Sequence, residues 1–212
     1  MSYSVREMYY TLQGEGAHAG TPAVFCRFSG CNLWSGREED RAKASCWFCD
    51  TDFVGTDGPG GGKFASAEEL SSALAALWPN DARGHFVVFT GGEPLLQLDE
   101  ALLDTVRRLG FKTAVETNGT IEAPRGLDWI TVSPKPKAEL VQRSGNELKL
   151  VYPHEVQPEE VASLDFEHFF LSPLTAESSE ESERNRKSAL EYCLAHPKWK
   201  LTMQYHKIWG IP

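Results

Sequence analysis

The sequence predicts an α/β chain built as a partial, open parallel βα barrel of about six strands. Short β-branched and aromatic runs recur along the chain, and helix-periodic segments stand between several of them. The 212 residues fall short of a full eightfold barrel, which takes about 250 residues.

The strands are expected at Ala23 to Phe28, Phe86 to Phe89, Thr113 to Glu116, Trp129 to Val132, Leu148 to Val151 and Phe169 to Leu171, with a further run at Leu201 to Tyr205. Between the first two, Ser66-Ala67-Glu68-Glu69 has the form of a capping box, and Leu70, Ala73, Leu74 and Leu77 follow at helical spacing. A second helix is expected over Asp99 to Leu109, where Leu102, Leu103, Val106 and Leu109 repeat the pattern and Gly110 stops it. Glu177 to Cys193 begins as a solvated, charged and serine-rich run and then gains Leu190, Cys193 and Leu194, so it reads as a helix docked only at its far end. Gly58-Pro59-Gly60-Gly61-Gly62 lacks the Lys-Ser/Thr of a phosphate loop and reads as a flexible connector. No short repeat and no sharp change of composition divides the chain, so residues 1–212 are expected to form one domain.

Hydrophobic residues make up 41% and charged residues 24%, which fits a globular protein and argues against disorder. A formal charge of -9 argues against a phosphate-tracking surface, although a local pocket gathering Arg27, Lys135 and Lys137 is compatible with it. Met1 to Gly20 has no basic segment followed by an apolar run, and no apolar run approaches the ~20 residues that cross a bilayer. The expectation is a cytoplasmic protein with neither nucleic acid nor membrane as partner.

Five unevenly placed cysteines suit a reduced compartment and a clustered site better than a disulfide framework. Cys31 is followed, after fourteen residues, by Cys46-Trp47-Phe48-Cys49. The pair Cys46 and Cys49 alone equally suits a redox dithiol or half of a zinc knuckle. A closed zinc site wants four ligands, and His18 and His85 are not at ligand spacing. Three thiolates without a fourth suit an iron-sulfur cube with one iron left open, and Trp47, Phe48 and Phe53 are expected to surround it with apolar bulk. Cys26, inside a strand, and Cys193, in a late helix, read as small buried hydrophobes.

Thr90-Gly91-Gly92-Glu93-Pro94 follows the second strand. Alone it reads rather as a strand-to-helix turn with Pro94 opening the helix. Together with Cys46-x-x-Cys49 after the first strand, it resembles the radical S-adenosylmethionine superfamily. The fourteen-residue gap departs from that superfamily's usual short first spacing. Within it, Leu12-Gln13-Gly14-Glu15-Gly16, the variable cysteine spacing and the short chain are similar to the 7-carboxy-7-deazaguanine synthases. The resemblance spans nearly the whole chain.

That resemblance implies a modified partial barrel, a homodimer, magnesium, and an electron donor such as a flavodoxin. It implies conversion of 6-carboxy-5,6,7,8-tetrahydropterin to 7-carboxy-7-deazaguanine with loss of ammonia, on the route to queuosine. No side-chain acid or base is expected to carry that reaction, which a 5′-deoxyadenosyl radical performs. Cys31, Cys46 and Cys49 would hold a 4Fe-4S cluster in an extended loop, and Thr51 would offer its hydroxyl to magnesium. Phe48, Asp50, Gly92, Glu93, Ser133, Pro134, Lys135, Pro173, Leu174 and Thr175 would contact S-adenosylmethionine. Leu12, Gln13, Gly14, Glu15, Thr90, Glu116 and the terminal Pro212 would frame the pterin, with the Arg27 fork on its carboxylate. The rivals are an activating enzyme for a glycyl-radical protein and a zinc-stabilised binding module.

Overall fold

The computed structural model describes residues 2–79 and 83–212. Among these residues nine strands form one sheet: β1 (Tyr3–Leu12), β2 (Pro22–Phe28), β3 (Gly62–Phe64), β4 (Phe86–Gly91), β5 (Lys112–Thr117), β6 (Trp129–Val132), β7 (Ser144–Tyr152), β8 (Asp165–Pro173) and β9 (Trp199–Leu201). Their order is β3-β1-β2-β4-β5-β6-β7-β8-β9. From β2 to β9 every pairing is parallel, and the six expected strands are consecutive neighbours. β3 and β9 are the sheet's two edges, so the barrel stays open.

Among the described residues five α-helices accompany the sheet: α1 (Ala67–Leu77), α2 (Glu100–Arg108), α3 (Pro158–Val161), α4 (Ser179–Ala195) and α5 (Tyr205–Trp209). Ser66 caps α1 by accepting from Glu69 N, while the Glu69 carboxylate takes Ala65 N rather than closing the expected box on Ser66. Asp99 caps α2 through Leu102 N, and Gly110, at φ 86°, ends the turn beyond it. Leu70 and Leu74 of α1 with Leu102, Leu103 and Val106 of α2 pack onto Val24, Val87 and Val115 to make the larger core. A smaller core gathers Leu148, Leu150, Phe169, Leu171 and Trp199 beneath Tyr192 and Cys193 of α4.

β1 was not among the expected strands; it pairs antiparallel with β2 and β3 and carries a bulge between Val5 and Glu7. The glycine segment is not a free connector: Met8 N donates to Pro59 O and Gly58 N to Arg6 O, and a side chain at Gly58 would collide with Arg6 O. The last strand ends at Leu201, and the chain turns through Thr202 into α5 instead of continuing extended to Tyr205. On α4, Leu190 and Leu194 face solvent at 46% and 75% exposure, and docking falls to Asn185, Ala189, Tyr192 and Cys193.

Candidate active site

The C-terminal ends of the parallel strands open into a cavity of about 550 Å³. In βα barrels this edge collects function, because each strand delivers its last side chains and its loop to the same mouth. Arg27 from β2, Thr90 from β4, Glu116 from β5, Ser133 after β6, Lys149 from β7 and Ser172 from β8 all line it. Arg27 and Thr90 are register partners across β2 and β4.

One wall is built by the loop after β2. Cys31, Cys46 and Cys49 all face the cavity, and none is in a disulfide. The Cys46–Cys49 turn closes through Cys49 N donating to Cys46 O at 3.0 Å. Arg41 Nη1 donates to both Trp47 O and Cys49 O at 2.9 Å, and its guanidinium lies 4.3 Å over the buried Trp34 ring. Burial pushes the Cys46 thiol up to about 11; Cys49 and Cys31 add to the rise and Lys135 opposes it. Phe48 and Phe53 line the cavity as expected, whereas Trp47 does not and is 47% exposed. Among the described residues, no group of three or more His, Cys, Asp or Glu side chains gathers closely enough to hold a single metal ion.

The Gly-Gly-Glu-Pro segment sits against this wall. A side chain at Gly92 would overlap Gly30 O and meet Cys31 Cβ at 2.7 Å, so only glycine permits the close approach. Glu93 points away from the cavity and is fully buried. Its carboxylate accepts from Leu95 N at 2.9 Å, Thr117 Oγ1 at 2.8 Å and Asn118 N at 2.8 Å. It therefore ties the β4 turn to the end of β5. Pro134 is likewise buried outside the lining, while Ser133 and Lys135 on either side reach it. Pro173, Leu174 and Thr175 line the rim, anchored where Leu174 N donates to Tyr152 O and Asn185 Nδ2 to Leu174 O, both at 2.9 Å.

The opposite wall is polar. Arg27 Nε donates to Glu7 at 2.8 Å and Nη2 to Tyr9 Oη at 2.9 Å, so its fork is held by β1 while facing the cavity. Gln13 Nε2 donates to Glu116 Oε1 at 2.9 Å, and Glu15 N donates to Gln13 Oε1 at 3.1 Å. Lys149 Nζ lies 2.6 Å from Glu15 and 3.4 Å from Glu116. Burial alone would raise Glu116, but Lys149 and then Gln13 outweigh it and hold its carboxyl below the usual range. The last residues return to β1 and the loop after it: Tyr205 N donates to Gly14 O at 3.0 Å and Thr11 Oγ1 to Pro212 O at 3.1 Å, with Pro212 at the cavity's lining. Thr51 faces the cavity between two engaged carboxylates, Asp50 held by Lys207 at 2.6 Å and Asp52 by Arg6 at 2.7 Å.

The cavity thus brings together every expected site residue except Glu93 and Pro134. Lys149, Tyr9, Glu7, Asn118 and His206 also line it and were not singled out from the sequence. The radical SAM superfamily model matches residues 41–135, a stretch that holds Cys46, Cys49 and the Gly-Gly-Glu-Pro turn but begins after Cys31. A 7-carboxy-7-deazaguanine synthase of Caulobacter vibrioides is 59% identical over 213 residues, covering all of both chains. The chain belongs to the 7-carboxy-7-deazaguanine synthases. A second synthase, from Bordetella pertussis, matches equally over both full lengths at 59% identity. Among solved structures, the crystal structure of QueE from Escherichia coli superposes with TM-score 0.73 at 28% identity, covering 97% of this chain and 95% of that one. This synthase is therefore a radical SAM enzyme. Among the described residues, no helix is long and apolar enough to cross a membrane.

Proposed function

We propose that Cys31, Cys46 and Cys49 hold a 4Fe-4S cluster and that the cavity converts 6-carboxy-5,6,7,8-tetrahydropterin to 7-carboxy-7-deazaguanine with loss of ammonia. The observation that carries this reading is that three unpaired thiols and a wall of Arg27, Gln13, Glu15 and Glu116 face one another across a single cavity. Among the described residues three cysteines and no fourth line the cavity, which suits a cluster with one iron left open better than a closed four-ligand zinc site.

When bound, the cluster supplies the electron that cleaves S-adenosylmethionine, and the cofactor supplies the radical that takes a hydrogen atom from the pterin. The chain's residues position both. Gly92 backbone beside Cys31, with Phe48, Asp50, Ser133 and Lys135, frames the cofactor's methionyl end, and Pro173 to Thr175 its adenosine. Glu93 acts from below, by fixing the turn. Arg27, already oriented by Glu7 and Tyr9, offers its fork to the pterin carboxylate. Gln13, Glu15 and Glu116 accept the N–H groups of its pyrimidine edge, with Pro212, the Leu12 to Gly14 backbone and Thr90 closing the sides.

Thr51 gives magnesium a hydroxyl, and substrate oxygens and water complete the shell, because Asp50 and Asp52 are already paired with cations. The active form is a homodimer in the cytoplasm, reduced by a flavodoxin-like donor. Anaerobic reconstitution with iron and sulfide, followed by iron analysis and a cofactor-cleavage assay, tests the assignment. The parent should take up four irons per chain and cleave the cofactor, and Cys31→Ala should lose both activities while staying folded. Undiminished cleavage by Cys31→Ala would discard the three-thiolate reading.

A further inference from the structure

We propose that Lys149 is a positioning residue whose ammonium bridges Glu15 and Glu116 and keeps both carboxylates as acceptors for the N–H edge of the substrate ring. The inference rests on the pterin reading above and deepens it.

Lys149 is 9% exposed on the inner face of β7, where Leu148 and Leu150 point the other way into the smaller core. With Gln13 it completes a ring: Gln13 to Glu116, Glu116 to Lys149, Lys149 to Glu15, and Glu15 N back to Gln13. Glu147 lies two residues earlier on the same strand, accepts from Ala17 N at 3.0 Å, and places a third carboxylate below the ring. Arg27 from β2, Tyr9 from β1, Lys135 after β6 and His206 from α5 are the other titratable groups around it.

A buried ion pair is seldom more stable than apolar residues of the same shape, so stability alone is a poor account of this one. Both acceptors line the cavity, which places the pair where orientation matters. Three carboxylates crowded without a cation would drive at least one to take up a proton. A protonated carboxyl turns one of its two oxygens into a donor and loses its charge, so it holds the amine and ring N–H of a 2-aminopyrimidine edge less well than a carboxylate does. Lys149 removes that conflict without itself needing to touch the substrate.

The test measures the Kd of 6-carboxy-tetrahydropterin for the reconstituted enzyme with S-adenosylmethionine and magnesium between about pH 6 and 9, in the parent, Lys149→Met, Glu15→Gln and the double variant. The parent profile is expected to be the reference. Lys149→Met should bind about tenfold to a hundredfold more weakly at the acid end and recover as pH rises, because its acceptors must first lose a proton. Glu15→Gln should keep the parent's profile shape, whereas the double variant gains the same acid-side loss through Glu116. This second comparison decides the matter if Lys149→Met does not fold. Parent-like profiles in a folded Lys149→Met, or identical profiles for Glu15→Gln and the double variant, would overturn the role. A parent that neither binds nor converts the pterin would remove the functional reading and this inference with it, while normal parent turnover with unaffected variants removes the inference alone.

Discussion

Replacing Glu93 by alanine removes a carboxylate at 0% exposure that serves Leu95 N, Thr117 Oγ1 and Asn118 N. Two backbone N–H groups and a hydroxyl are then stranded in the interior, each costing about 1–3 kcal/mol. Part of that is offset, because burial already pushes Glu93 above the usual carboxylate range in spite of its donors. The net loss should be about 3–5 kcal/mol, or about 10 °C in Tm for a chain of this size. Glu93→Gln keeps the oxygen shared by Leu95 N and Thr117 but sets an amide against Asn118 N, so about 1–2 kcal/mol should be lost. Urea denaturation monitored by tryptophan fluorescence reads both values. The cofactor KM should rise in the same order, since the turn carrying Gly92 is what Glu93 holds. An alanine variant within about 1 kcal/mol of the parent would refute the view that this carboxylate ties β4 to β5.

Gly92→Ala should fold yet lose cofactor cleavage, because its methyl displaces Gly30 and Cys31; an intact cleavage rate would show that the close approach is unnecessary. Arg27→Lys keeps the charge but replaces the planar fork oriented by Glu7 and Tyr9 with a point charge, so the substrate KM should rise about tenfold or more, read from initial rates. Burial raises Glu147 above its ordinary 4.5, so its contribution to stability is complete below that pH and lost as pH rises through the folded value. Glu147→Gln should therefore flatten the decline of stability toward neutral pH in denaturant titrations. Glu116 has the opposite sign: held below 4.5, its contribution is present above that pH and lost on acidification, and Glu116→Gln should flatten the acid limb.

The six central strands were legible because parallel strands buried on both faces read as apolar, β-branched runs. β1 was not, because Arg6, Glu7 and Thr11 interrupt its apolar residues and a bulge at Val5/Glu7 breaks the alternation. The Ser66 cap is visible in its motif, whereas Asp99 reads as the first residue of its helix and proves to be its cap; the exposure of Leu190 and Leu194 is hidden, since periodicity alone does not say which face meets the sheet. The site was readable where a motif marks it: the cysteines, the paired glycines and Leu12 to Gly16. Lys149 is hidden because Leu148 to Val151 reads as a hydrophobic run. The signal lay in its alternation, Glu147 and Lys149 on one face and Leu148 and Leu150 on the other, which is what a strand lining a polar barrel interior requires. Lys207 on Asp50 and His206 against Gly14 are contacts across more than 150 residues that no local pattern records.

The most direct measurement is anaerobic incubation of the reconstituted chain with S-adenosylmethionine, reductant, magnesium and 6-carboxy-5,6,7,8-tetrahydropterin, with the product followed by mass. The account predicts 7-carboxy-7-deazaguanine and ammonia in equal amounts, both absent with Cys31→Ala. Cofactor cleavage without any change in the pterin would contradict the assignment of the polar wall to that substrate.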